Sequence, residues 1–415
     1  MDRNCMDGNR ALAFLKEFDY IREAGTPAEE QAAARIAQEI RSLGLVPKTE
    51  EFVFRENCIT EAYFQVTEPE KKEYRVSGFK NSGNTPAEGI EAPFYYAENG
   101  DDVNLSFAEG KIVMVNAPMR AELYRKLVKA GAAAFLTVSG TPVDEGEDRA
   151  VPTCRLRGLT PEETVIQGAG IHCRDAQELV EKGAGRARLV VRQEEREKIS
   201  RNVRVRIPGT DEKLKKEILT LTAHYDSVPE GPGAYDNMAG AAIIMELLRW
   251  FAKHPPLRTL EFVWFGAEEK GLEGSLAYVE RHSQELENHR FNMNVDLAGQ
   301  LIGGTVIGVT ADASVCAMLS LLVHESGIGA SFKNQIWGSD SNTFAWKGIP
   351  AMTLNRDGYG MHTRYDTAAL ISPWSLQRSS LLLGHLAERL ADIPVFPFER
   401  TMPEQLLKEL DAFFA

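Results

Sequence analysis

Between residues 199 and 392, short β-like runs alternate regularly with longer stretches of helical period. The short runs are 202-NVRVRIPG-209, 218-ILTLTA-223, 259-TLEFVWF-265, 291-FNMNVDL-297 and 304-GTVIGV-309, and 237-NMAGAAIIMELLRWFAKH-254 represents what lies between them. Several of the short runs are apolar on both faces, and such a strand must be covered on both. The alternation therefore predicts a three-layer αβα domain with a mixed, mostly parallel sheet. Loops at the carboxyl ends of parallel strands open onto one crevice, where ligands bind.

The rest of the chain is organised around that domain. In 26-TPAEEQAAARIAQEIRSLG-44, Thr26 and Glu29 form a capping box, Pro27 suits the first turn and Gly44 suits the position after the last. An alternating run, 48-KTEEFVF-54, follows as a strand. From about residue 60 to 198 the texture changes to short β-like runs among Gly, Pro and acidic turns. Inside it, 109-EGKIVMVNAPMRAELYRKLVKAGAAAFLTVSG-140 reads strand (Lys111 to Val115), helix (Arg120 to Ala130) and strand (Ala133 to Val138). The expectation is a discontinuous domain, 1–59 with 199–393, interrupted by a smaller β-rich insert at 60–198. A C-terminal segment, 394–415, ends in an amphipathic helix whose Thr401 and Glu404 make a second capping box. Docking of that helix on its own domain is expected, with a homodimer contact as the alternative.

Composition narrows the function classes. A net charge of −13 over 415 residues offers no basic face to a nucleic acid. No segment approaches the 18 or so uninterrupted apolar residues of a membrane span. The start, MDRNCMDGNRALAFLKEF, lacks the basic and apolar regions of a secretory signal. The five cysteines are scattered without a C-x-x-C pair, which fits reduced, mostly buried thiols. A cytoplasmic protein is expected, although a mature secreted form would look the same.

Residues able to bind metal recur where the predicted strands end. His224 and Asp226 follow 218-ILTLTA-223, Glu268 and Glu269 follow Phe265, Asp296 ends its strand, and His362 lies in 357-DGYGMHTRYDT-367. Singly, each has a bland explanation as a turn or cap. Together they converge on one sheet edge. Two divalent ions about 3.5–4 Å apart need a bridging carboxylate, terminal His and carboxylate ligands, and a separate base for water. Asp236 would bridge, reached from His224 through a bend at Gly231, Pro232 and Gly233. His224 and Asp296 would complete one ion, and Glu269 and His362 the other. Glu268 would be the general base, and Asp226 either an acceptor for the imidazole N–H or an organiser of the backbone.

These segments resemble the M28 zinc aminopeptidases. The resemblance is carried by HYD at 224–226, AYDNMAG at 234–240, GAEEKGLEGS at 266–275, NVDLAG at 294–299 and MHTRYDT at 361–367. It extends to 202-NVRVRIPGTDEKLKKEILTLTAHYDS-227, which looks like the family's entry strand pair. The insert is similar to a protease-associated (PA) domain, most clearly at 110-GKIVMVNAPMR-120 and at KAGAAAFL, 129–136. The resemblance implies two Zn2+ ions (Mn2+ or Co2+ being alternatives) held by His224, Asp236, Glu269, Asp296 and His362, with Glu268 as base. It implies hydrolysis of peptide substrates by a metal-bridging water, usually releasing an N-terminal residue.

Two departures stand out. Some members place a tyrosine just before the histidine that matches His362; this chain has Met361, leaving Tyr359 as the nearby candidate for oxyanion or substrate contact. The family's loop often reads SDH where this chain has Ser341 after Asp340, so Asp340 is a second candidate, for orienting His362 or a substrate amine. HYDSVP also resembles the M20 metallopeptidases, but their small domain follows the glutamate pair, whereas this insert precedes all the ligands. M28-like folds with PA-like domains also serve as receptor ectodomains, where loss of ligands would be expected. Carboxypeptidase and dipeptidase activities stay open alongside aminopeptidase.

Overall fold

The computed structural model describes residues 6–414; Cys5 and Ala415 lie outside them. Two compact units are formed, one from the residues up to Phe54 with those from Lys198 onward, the other from Arg55–Glu197. The chain passes between them within the long strands Lys48–Glu68 and Arg186–Ile207. No turn marks either crossing.

In the first unit the strands lie in the order Ser331–Asn334, Thr305–Thr310, Ala351–Arg356, His289–Val295, Ile218–His224, Thr259–Phe265, and then the end of Arg186–Ile207. Ala351–Arg356, His289–Val295, Ile218–His224 and Thr259–Phe265 are mutually parallel. Thr305–Thr310 and residues 203–207 run against them on the two flanks. The sheet is mixed and mostly parallel, as the alternation predicts.

The period of two along each strand supplies both helical layers. Phe262 and Trp264 share a core with Ile243 and Leu247 of the helix Ala239–Phe251. Their neighbours Val263 and Phe265 face the other way, toward Tyr278 and Val279 of Glu273–Arg281 and Phe344 of Ser341–Trp346. Each such side chain, fully buried, contributes about 1.5–3 kcal/mol. The helix Pro27–Ser42 is capped by the Thr26 hydroxyl, which accepts from Glu29 N–H, and ends before Gly44 at φ 78°.

Sequence patterning did not single out the helices Gly8–Lys16 and Pro373–Asp392, which pack into the same core as Ala239–Phe251. The C-terminal helix spans Glu404–Phe414 and so starts later than a Thr401 cap predicts. Its Leu410 is buried against Phe344 and Ala345, and Asp411 accepts from the Trp346 indole at 2.8 Å.

The unit Arg55–Glu197 has its own parallel core, Ile90–Tyr96, Ile112–Val115, Ala134–Ser139 and Gly168–His172, with Val76–Gly78 antiparallel at one side. Helix Ala121–Lys129 links two of these strands. Cys58, Cys154, Cys173 and Cys316 are free but half-buried, not buried as composition suggested. Among the described residues no helix is long and apolar enough to cross a membrane.

Candidate metal centre

The four parallel strands end side by side, and each delivers ligand-type residues to the same edge. His224 closes its strand in register with Phe265, which leads to Glu268 and Glu269. Asp296 follows Val295 and donates its N–H to Leu354 O at 3.0 Å, so it continues the ladder beyond the strand. The strand Ala351–Arg356, not foreseen from sequence, leads to His362. Three residues beside these ligands or among them adopt left-handed backbone without being glycine: Ala267 (φ 54°), Leu297 (φ 66°) and His362 (φ 59°). Each costs on the order of 1 kcal/mol and persists only where packing over-determines it. The turns they make redirect the chain just at the strand ends.

Asp236 arrives through the bend that Gly231 and Gly233 allow. Gly233 lies at φ 61°, and a Cβ on Gly231 would meet Thr363 O at 2.0 Å. The two carboxylate oxygens of Asp236 face opposite partners: Oδ1 is 3.2 Å from His224 Nε2, and Oδ2 is 3.0 Å from His362 Nε2. Around His224 Nε2 also stand Asp296 Oδ1 at 3.4 Å and Glu268 Oε2 at 3.9 Å. Around His362 Nε2 stands Glu269 Oε1 at 3.2 Å. The donor atoms fall into two groups, His224–Glu268–Asp296 and Asp236–Glu269–His362, each within 4.8 Å. By distance Asp236 stands nearer to His224 than Glu268 does, so Asp236 faces both groups.

Charge in this cluster is unbalanced toward the carboxylates. Burial and the neighbouring Asp296, Glu269 and Asp340 push the Glu268 carboxyl well above its usual range. Burial and Asp236 push Glu269 up to about 7. Hydrogen bonding to Asp236 and Glu269 raises His362 to about 10. Burial opposes charge on His224, yet Glu268, Asp226, Asp236 and Asp296 hold its pKa well above the ordinary value. Both His224 nitrogens are buried and neither makes a hydrogen bond of ordinary geometry. Orphaned imidazole nitrogens facing surplus carboxylate oxygens are the donor set of a hard-to-borderline divalent cation, and zinc, manganese or cobalt fits it.

Supporting residues explain why these side chains stay in place. Asp226 accepts from the N–H groups of Glu268 (3.1 Å) and Glu269 (3.2 Å), and its Oδ1 lies 3.5 Å from His224 Nδ1. Asp366 accepts from the N–H groups of Tyr235 (2.6 Å) and Asp236 (3.0 Å). Asn237 donates to Val295 O at 2.7 Å and tethers the helix start to the strand before Asp296. Asp366 and Asn237 had no role in the sequence reading, although both lie inside the quoted motifs. Asp340 is fully buried, and burial drives its carboxyl up to about 7 beside Asp296 and Asp226. Tyr359 is not buried with them. It is 68% exposed and is fixed through its backbone, which exchanges two hydrogen bonds with the Gln300 amide.

The model of peptidase family M28 matches residues 202–387, a span that holds all of these ligand-type residues. The resemblance to M28 carried by the motifs is thereby shown over that span. The matching model is that of M28 and not that of the M20 alternative. Among curated relatives, aminopeptidase YwaD of Bacillus subtilis is 27% identical over 365 residues, covering 87% of this chain and 73% of that protein. Carboxypeptidase Q of Xenopus laevis is 27% identical over 330 residues, covering 74% and 69%. The solved structure of BSAP, a zinc aminopeptidase from Bacillus subtilis, superposes with a TM-score of 0.79 at 23% identity, covering 97% of this chain and 99% of that one. That match establishes a shared fold along nearly the whole length.

Proposed function

We propose that this protein is a two-zinc M28 aminopeptidase acting on peptides. In this reading His224, Asp236 and Asp296 hold one ion, and Asp236, Glu269 and His362 hold the other. The carrying observation is the two-sided presentation of Asp236, one oxygen toward each imidazole. The name of the YwaD relative supports the aminopeptidase direction and that of BSAP supports zinc; manganese or cobalt would suit the same donors.

When bound, a metal pair lowers the pKa of water and polarises a carbonyl. The chain's own residues do the rest. Glu268 lies at the edge of the His224 group, where its carboxylate can accept the proton of the attacking water and hand it to the leaving amine. Asp226 aims the two adjacent glutamates apart by holding both backbone N–H groups. Arg55–Glu197 is read as a PA-like insert, supported by its strand–helix–strand core, and the free cysteines support a reducing, cytosolic location.

The test is a metal assay joined to a peptide panel. Purified protein is expected to carry close to two zinc ions, as a co-catalytic site requires, and a chelator is expected to abolish hydrolysis of aminoacyl-arylamides. Matched free and N-blocked peptides then give the direction. Cleavage of free N-termini alone supports the aminopeptidase. Release from the carboxyl end, the activity in the name of the Xenopus relative, or cleavage of dipeptides only would overturn that direction while leaving the metal assignment standing.

A further inference from the structure

The loop between His224 and Asp236 poses a physical problem. Residues 225–233 lie outside helices and strands, and the Gly-Pro-Gly run within them supplies freedom rather than shape. Two residues on one ion, or on adjacent ions, must nonetheless be held to within about 0.5 Å. Something outside the loop has to fix its two ends relative to each other.

Arg22 does this. It comes from the segment between the helices Gly8–Lys16 and Pro27–Ser42, and it is completely buried. Its Nε donates to Tyr225 O at 2.8 Å, next to His224. Its Nη1 donates to Pro232 O and its Nη2 to Gly233 O at 3.1 Å, just ahead of the turn into Asp236. The backbone adds a third point: Arg22 N–H donates to Ser227 Oγ at 2.9 Å, and Ser227 N–H donates to Arg22 O at 3.2 Å. The remaining Nη1 bonds, to Phe18 O at 2.6 Å and Tyr20 O at 2.9 Å, anchor the guanidinium in its own segment.

All of these side-chain partners are neutral carbonyls, with no carboxylate among them. Burial lowers the Arg22 pKa to about 10, and the nearby charges of Asp226, Asp366 and Asp19 oppose that fall. Burying a cation without a directly paired anion is costly, so a group serving only to fill space would be a poor choice here. A planar fork with donors at fixed separation suits the task of spacing two ends of a flexible loop, and an ammonium does not reproduce it. Asp366 continues the clamp on the far side through Tyr235 and Asp236 N–H, and Asp19 Oδ1 accepts from Ala368 N–H at 2.9 Å.

We propose that Arg22 is a positioning residue for the metal centre: its guanidinium sets the separation of His224 from Asp236, and with it metal affinity and the geometry of the bridged pair. This rests on the two-metal reading above. The test compares wild type with Arg22→Lys, each stripped and titrated with cobalt(II) against a competing chelator, with the cobalt d–d spectrum, thermal midpoint, kcat and KM recorded. The expected result is a folded variant with cobalt affinity weaker by about 10- to 100-fold, the range seen when an outer partner of a metal ligand is removed. A changed d–d spectrum and a fall in kcat that exceeds any change in KM should accompany it.

A folded Arg22→Lys with wild-type cobalt affinity and spectrum overturns the proposal, even if its thermal midpoint drops. Ser227→Ala is the second variant, since it removes one link to Arg22 and leaves the buried charge alone. It is expected to weaken cobalt binding in the same direction by a smaller factor. If Arg22→Lys does not fold, unchanged cobalt affinity in Ser227→Ala overturns the proposal. Wild type that binds fewer than two cobalt ions sinks the two-metal reading itself, and the role of Arg22 with it.

Discussion

The two halves of the candidate metal centre are built by different means. His224 is 1% exposed and closes a central strand, and Asp296 continues the neighbouring strand through a ladder hydrogen bond. His362 is 48% exposed in its side chain and comes from a loop, on a left-handed backbone. The first half inherits its precision from a sheet buried on both faces. The second depends on point contacts, chiefly Asp366 on the Asp236 turn and Gln300 on the backbone of Tyr359. The His362 side is therefore the more accessible of the two halves.

The largest expected effect comes from Glu268, which by proximity groups with the rigid half. Glu268→Gln is expected to lower kcat by about 10²- to 10⁴-fold, the usual contribution of a general base, with both metals retained. Metal content measured beside the rate decides between roles. If one ion is lost together with activity, Glu268 is a ligand of the His224 half and not the base.

The second effect is on stability and belongs to the strand that carries Asp296. His289 is fully buried at the start of that strand, with Nδ1 2.7 Å from Thr220 Oγ1. Burial lowers its pKa to about 4, with Glu261 opposing and Arg206 assisting. The folded protein thus keeps His289 neutral where an unfolded chain would protonate it. Its contribution is complete above about pH 6.5 and is lost as pH falls toward 4, with an upper bound of about 3 kcal/mol. The thermal midpoint of His289→Gln should therefore fall less steeply than that of wild type between those pH values. Parallel curves would show that His289 is not the titrating group.

The same contrast explains what could be read from sequence. His224, Asp236, Glu268, Glu269 and Asp296 lie in or just after runs whose β/α alternation predicts both the sheet and its carboxyl edge, so the fold and the convergence of these side chains were legible together. Asp366 and Arg22 were not. Both act on backbone N–H or C=O groups, and a side chain that recognises main chain leaves no complementary residue type elsewhere in the sequence to betray it. Arg22 is also remote in the chain from the loop it holds. The crossings near Phe54 and Lys198 were blurred for a different reason: a continuous strand carries the chain through each, so composition changes without a break in structure.

The more open half yields the two smaller effects. Asp366→Asn keeps the volume but weakens acceptance from Tyr235 and Asp236 N–H, and it should reduce metal affinity or kcat by about 10- to 100-fold. Because Asp236 is the proposed bridge, the loss should reach both ions and be larger for the one held with His362, whose side chain is the more exposed. An equal loss at both ions would mean that Asp366 acts on the bridge alone and that the two halves are not separable. Tyr359 marks the lower limit. Its ring is exposed, its position is set through the backbone pair with Gln300, and no hydrogen bond ties its hydroxyl to the ligands among the described residues. Tyr359→Phe removes only that hydroxyl, so kcat/KM should stay within about twofold of wild type, as for an ordinary surface substitution. A tenfold loss in kcat would instead mean that the loop swings its phenol onto the developing oxyanion in the substrate complex, and that the open half closes during turnover.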